Sequence, residues 1–260
     1  MSKFIDKLTS LNKATVAPMG FGRPDVVEKP ACMLVIAEIG GKSEDDIQTL
    51  AGVGLVAGLV DSAGLTPAAL AKLIKGKGDL IMGMVISNGK TTGQKTVNGD
   101  IDFIVFEPGL PLKSFEGRDL EQTGRIIKLE LSVDVGLLRS VNNLYPGVDA
   151  VLVDLSTSPL TIEQMMLCRR VADFSGQPVI ARVASVLSAV ELTALRDAGV
   201  KCLLLGSDAG ADDVKALITA IKTLPKPSKK KSLQSNNILP LIPIGFGAGK
   251  EKEEEGDDDD

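Results

Sequence analysis

The sequence predicts an α/β fold in which eight parallel strands close into a (βα)8 barrel. Three observations carry this expectation. Eight short, near-continuous aliphatic runs recur between residues 31 and 222, as strands covered on both faces require. Amphipathic segments with helix-capping residues lie between most of them, the alternation that builds a parallel sheet. Aromatic residues make up only 3% of the chain against 44% apolar residues, so the core must be aliphatic. An open doubly wound sheet is the competing arrangement, but it rarely needs eight evenly spaced units.

The elements follow in chain order. Residues 1–30 read as an N-terminal helix and an extended lead-in. The strands are expected at 32–37 (CMLVIA), 55–60 (LVAGLV), 80–86 (LIMGMVI), 101–106 (IDFIVF), 126–131 (IIKLEL), 148–153 (VDAVLV), 178–183 (PVIARV) and 201–205 (KCLLL). A helix over 44–51 follows Ser43, an N-cap with acids in the first turn. Another over 66–75 has Thr66 as its cap and Pro67 at its first position. Segments 134–144, 161–174, 187–198 and 210–222 repeat this logic, with Thr161 and Gln164 spaced as a capping box. Gly147, Gly176 and Gly199 mark returns from helix to strand. The connections 88–100 and 107–125 are rich in Gly, Pro and Lys and predict long loops. Beyond residue 224 come a polar linker (225–237), an apolar Pro-broken strip (238–249, ILPLIPIGFGAG) and a disordered acidic end. The organisation is thus 1–30 lead-in, 31–224 barrel and 225–260 tail.

Composition excludes several functions. The net charge is −5, but residues 250–260 hold two Lys and eight acids. The remaining body is +1, which gives no support for nucleic-acid binding. The chain has no histidine, which removes His-based triads, His-ligated zinc and His general bases. Acid–base chemistry must therefore use Asp, Glu, Lys, Tyr or a cofactor. Cys32, Cys168 and Cys202 show neither metal-type spacing nor CxxC and fit a reducing cytoplasm. The N-terminus lacks the apolar core of a signal peptide, and no stretch approaches eighteen apolar residues, so no transmembrane helix is expected.

Pro-x-Gly-Phe-Gly occurs twice, as PMGFG at 18–22 and PIGFG at 243–247. It contains no ionisable side chain, so it points to docking rather than chemistry. The strip 238–249 exposes Leu239, Leu241, Ile242, Ile244 and Phe246, and such segments dock on the chain's own body, a neighbouring subunit or a partner protein.

In strand count, spacing and strand-end chemistry, 31–222 resembles a TIM barrel. The stretch VDLSTSPLTIEQMMLCRRVADFSGQPVIARV, beginning at Val153, is similar to a strand–helix–strand unit of metal-dependent oxo-acid aldolases. It lacks their histidine-bearing acidic motif and falls late in the barrel, so the likeness implies fold alone. A weak half-repeat sets LVIAEI (34–39) beside IIKLEL (126–131) and LVDSAGLTPAAL (59–70) beside LVDLSTSPLT (152–161). It matches Glu38 with Glu130 and Asp61 with Asp154.

Reacting groups in such barrels sit where strands end and βα loops begin. There the sequence offers Glu38, Asp61, Glu107, Glu130 and Asp154, with Lys128 and Arg182 as cations. Lys128 and Glu130 are two apart and share a face, which places Glu130 one layer above Lys128. Ionisable groups among Ile and Leu are costly unless paired, and Asp154 is the natural partner for Arg182. The functional reading is a carboxylate pocket with a cationic floor, in which Glu130 and Asp154 supply oxygens if Mg²⁺ is used, or Lys128 acts as a Schiff-base amine. The bland reading is a structural ion-pair cluster. After the eighth strand, Gly206, Ser207 and Gly210 lead into a helix N-terminus suited to a phosphate, although Asp208, Asp212 and Asp213 crowd the turn. SNGKTTGQK (87–95) lacks the first glycine of a P-loop and reads as a loop carrying Lys90 and Lys95.

Together these readings predict a cytoplasmic TIM-barrel enzyme acting on a small anionic metabolite, phosphorylated or not, by lyase or isomerase chemistry. Glu38 and Glu130 would exchange protons, Asp61 and Asp154 would hold a cation or orient hydroxyls, and Lys128, Arg182 and Lys90 would bind substrate charge. The alternative is a non-catalytic barrel that recruits partners, or a second copy of itself, through 238–249.

Overall fold

A computed structural model describes residues 2–13, 31–63, 67–87, 100–117, 119–156, 159–184 and 186–225. Met1–Pro225 forms one compact unit, and the second, 226–260, lies outside the described residues. So do both Pro-x-Gly-Phe-Gly segments, the loop with Lys90 and Lys95, and Thr66.

The strands are β1 (Leu34–Glu38), β2 (Ala57–Asp61), β3 (Ile81–Ile86), β4 (Phe103–Phe106), β5 (Gly124–Leu129), β6 (Ala150–Leu155), β7 (Val179–Val183) and β8 (Val200–Leu205). They pair in parallel in chain order, and β8 returns to β1 to close the barrel. All eight fall on the predicted runs, with edges displaced by a residue or two. Outside them pack α2 (Glu44–Gly52), α3 (Pro67–Gly76), α4 (Val135–Ser140), α5 (Ile162–Ser175), α6 (Ala189–Asp197) and α7 (Ala211–Thr223). Where the periodicity predicts one helix over 134–144, α4 gives way to a 3-10 turn at Val141–Asn143, since Pro146 disfavours helical backbone before it. Between β4 and β5 a 3-10 turn spans Leu112–Phe115. Three α-helices open on reciprocal capping boxes, Ser43 with Asp46, Thr161 with Gln164 and Ser188 with Glu191. Gly176 ends α5 in the left-handed conformation at φ 65°, where glycine has no Cβ penalty. No helix among the described residues is long and apolar enough to cross a membrane.

Strand alternation divides the core in two. Outward side chains pack under the helices, and inward ones fill the barrel. The interior rises in layers contributed by alternate strands. Register sets Ala57, Phe103, Ala150 and Cys202 low; Ile36, Gly83, Ile126 and Ile180 above them; then Leu59, Val105, Leu152 and Leu204. Phe103 fills the lower axis because Gly83 makes room for it: a Cβ on Gly83 would stand 2.2 Å from the Phe103 ring. Gly83→Ala is therefore expected to lower stability by about 1–3 kcal/mol through overpacking, read as a lower denaturation midpoint.

The N-terminal end is closed by α1 (Lys3–Lys13). Phe4, Ile5 and Leu8 are buried with the interior residues, and the Phe4 ring stacks on Phe103 at 4.5 Å between centroids. The carboxylate of Asp102, just before β4, accepts hydrogen bonds from the Ser2 hydroxyl (2.6 Å) and the Lys3 and Phe4 N–H groups (2.8 and 2.9 Å). It thus satisfies donors that a helix start leaves open. The three cysteines are free thiols. Burial pushes Cys168 up to about 11 and Cys202 higher still, so neither forms the thiolate that nucleophilic chemistry needs.

Candidate active site

The alternation that sinks Leu59, Val105, Leu152 and Leu204 into the barrel raises Glu38, Val85, Lys128 and Arg182 one layer above them, from β1, β3, β5 and β7. These two layers enclose a cavity of about 290 Å³ that Gly40 and Asp61 also line. Its floor is aliphatic and its walls are charged, the composition of small-molecule sites.

Arg182 organises one wall. Its Nε and Nη2 meet the two carboxylate oxygens of Glu38 at 2.8 and 3.2 Å, and its Nη1 reaches Asp154 Oδ2 at 3.3 Å. Planar, bidentate pairing of this kind fixes orientation as well as charge. The hydrogen bonds to Glu38, with the charges of Glu38 and Asp154, outweigh burial and hold the guanidinium above its usual range. For Asp154, burial favours the neutral acid. Hydrogen bonds from Ser156 and the Arg182 charge overcome it and hold the carboxyl below its ordinary value. On the other side, Lys128 Nζ donates to Glu107 Oε1 at 3.1 Å. Asp61 and Asp154 make the same turn on β2 and β6: Asp61 Oδ1 accepts from Ala63 N–H at 2.8 Å and Asp154 Oδ1 from Ser156 N–H at 2.9 Å.

The structure thus brings together Glu38, Asp61, Lys128, Asp154 and Arg182. It does not bring Glu130. Strand β5 ends at Leu129 and the chain turns at Leu131 and Ser132, so the alternation that would aim Glu130 inward stops before it. The carboxylate is exposed and accepts from Ser132 Oγ at 3.2 Å. The half-repeat needs the same correction. Glu38 pairs with Leu59 across β1–β2, and Lys128 pairs with Leu152 across β5–β6. With Leu59 equivalent to Leu152, the counterpart of Glu38 is Lys128, not Glu130.

At the start of α7, the Gly210 N–H donates to Asp213 Oδ2 at 2.9 Å. Ser207 Oγ faces Asp208 Oδ1 at 3.4 Å, and the Gly206 carbonyl accepts from Ala209 N–H. The Asp213 carboxylate thus takes the Gly210 N–H, one of the donors a phosphate at this turn would use. Of the two proposed Mg²⁺ donors, Asp154 contacts a guanidinium and Glu130 lies off the cavity. Among the described residues no three His, Cys, Asp or Glu side chains converge as a metal site would require.

No family model matches the chain, and no curated protein matches it. Solved structures do. A mutant tryptophan synthase α-subunit from Pyrococcus furiosus is 11% identical, with TM-score 0.55 over 74% of this chain and 97% of that one. Tryptophan synthase from Mycobacterium tuberculosis is 12% identical, with TM-score 0.56 over 85% and 97%. A structure from Aquifex aeolicus VF5 is 10% identical, with TM-score 0.55 over 83% and 98%. The chain is a TIM barrel, and at these identities the likeness speaks for the fold alone.

Three contacts that shape the site have no clear signature in the sequence. Glu107 stands at a strand end, yet only the adjacency of β4 and β5 makes it the partner of Lys128. Arg170 on α5 donates from Nη2 to the carbonyls of Leu131 and Val133 at 2.6 and 3.2 Å, fixing the loop after Glu130. Lys42 Nζ donates to the Ala209 carbonyl at 2.9 Å, tying the loop after β1 to the loop after β8.

Proposed function

We propose that this barrel is a cytoplasmic enzyme of the lyase or isomerase type, acting on a small metabolite whose anionic group lies against Lys128 and Arg182. The observation that supports it most is the cavity itself, in which two carboxylates, Glu38 and Asp61, and two cations, Lys128 and Arg182, rise from the strand ends above an aliphatic floor. About 290 Å³ holds roughly ten water-sized volumes, enough for a compact metabolite. Within it Glu38 is the acid–base group. Arg182 fixes its plane, so no reorganisation is needed when a proton moves. Lys128 is the anion-binding cation, because its exposed pairing with Glu107 is weak enough to be exchanged for a substrate oxygen. The Asp213 carboxylate bonded to the Gly210 N–H at the start of α7 weighs for a carboxylate over a phosphate as the anion.

Lys128→Ala tests this reading without threatening the fold, since the Lys128 and Glu107 side chains are 39% and 63% exposed and such pairs contribute under about 1 kcal/mol. Calorimetry with small carboxylates is expected to show binding to the wild-type protein and at least about tenfold weaker binding to the variant. Equal binding, or none to either protein, removes the proposed role of Lys128. A second reading has its own observation: both cations are already paired, as they would be in an ion-pair cluster that only closes the barrel mouth. That reading predicts a loss of stability in Arg182 variants and no ligand for the cavity.

A further inference from the structure

We infer that the cavity takes a zwitterion, a small metabolite that carries a protonated amine as well as a carboxylate, and that Asp61 receives the amine. This rests on the anion-binding reading above and extends it to the other end of the substrate. Among the described residues, the charged groups that line the cavity or pair with its lining do not balance: Glu38, Asp61, Glu107 and Asp154 stand against Lys128 and Arg182, a net −2. The imbalance is local. Glu38 and Asp154 share Arg182, and Glu107 pairs with Lys128. Asp61 has no cation beside it among the described residues. Its Oδ1 is engaged by the Ala63 N–H, which fixes the carboxylate, and Oδ2 has no hydrogen-bond partner among the described residues. Its pairing neighbour on β3 is Val85, an apolar wall of the same cavity.

Asp61 and Lys128 stand three strands apart around the barrel, one at each side of the cavity. A ligand spanning them meets a carboxylate at one end and an ammonium at the other, over a floor of Leu59, Val105, Leu152 and Leu204. Such a site binds a carbon chain bearing opposite charges at its ends. A dicarboxylate would bring a second anion against Asp61, and a simple alkanoate would leave Asp61 unpaired beneath it.

The test pairs two series of probes of matched length: ω-amino acids from glycine to 6-aminohexanoate, and the n-alkanoates that lack the amine. Binding is measured by calorimetry on the full chain. For the best-fitting length, the amino acid is expected to bind at least about tenfold more tightly than its alkanoate. Asp61→Asn should abolish that preference by weakening the amino acids towards the affinity of their alkanoates. Lys128→Ala should weaken both series. Asp61 is exposed, so a folded variant is expected, and an unchanged circular dichroism spectrum and melting midpoint check this. Equal affinity for the two series, or a preference that survives in Asp61→Asn, overturns the inference while the carboxylate reading stands if Lys128→Ala still weakens binding. Absence of binding by either series overturns both.

Discussion

Phe4→Ala is expected to destabilise the barrel by about 3–5 kcal/mol, the largest effect of any single substitution considered. Phe4 is fully buried, although it belongs to a helix that precedes the barrel. Its ring stacks on Phe103, which fills the lower axis. Truncation removes that stack and leaves a cavity that neighbouring strands cannot close, because their positions are fixed by the barrel's hydrogen bonds. Urea denaturation followed by circular dichroism measures the loss. Asp102→Asn at the same end keeps the shape but turns one of two accepting oxygens into a donor facing the helix start, and should cost less, about 1–3 kcal/mol. If Phe4→Ala changes the midpoint no more than a surface substitution does, α1 is not part of the folded core.

Arg182→Gln is the second. The guanidinium holds two carboxylates, Glu38 and Asp154, that are 27% and 36% exposed, and it is itself 33% exposed. Removing a partner from a fully buried pair costs about 3–5 kcal/mol. Solvent at this half-open mouth screens the remaining charges, so about 1–3 kcal/mol is expected here. The loss should depend on pH. The Asp154 carboxyl is held below its ordinary value in the folded state, so its contribution is fully present above the unfolded value of about 3.9. It disappears as pH falls through the depressed folded value. Wild type and Arg182→Gln should therefore converge in stability towards acid. A difference that stays constant from neutral pH down to about pH 2 would mean that the ion pairs are not the source. Ligand binding should fall as well, since Glu38 loses the group that orients it.

Most of the barrel was legible because a parallel strand covered on both faces leaves an unbroken aliphatic run, and a helix that follows it needs a cap. CMLVIA, LIMGMVI and KCLLL could hardly be anything else. Thr161 with Gln164 marks the start of α5, whose first buried residue, Cys168, comes only later. The site was legible only in outline. Sequence spacing identifies which residues share a strand face, but not where the strand stops. That is why Lys128 lines the cavity and Glu130, two residues on and past the end of β5, does not. Pairing between strands lies further from view, because it depends on stagger around the whole barrel. Glu38 resembles Glu130 in local sequence, yet the stagger sets it level with Lys128. Residues such as Arg170 act through backbone carbonyls of a distant loop, and a carbonyl leaves no mark on residue identity.

The closure of the N-terminal end by α1 has a kinetic corollary. A barrel stoppered at its base is a blind vessel: whatever enters past Asp61 and Lys128 must leave past them. For a reaction that splits one molecule into two, the fragment nearer the leucine floor is trapped until the other has departed. Release would then be ordered, and the last product to leave would compete directly with fresh substrate.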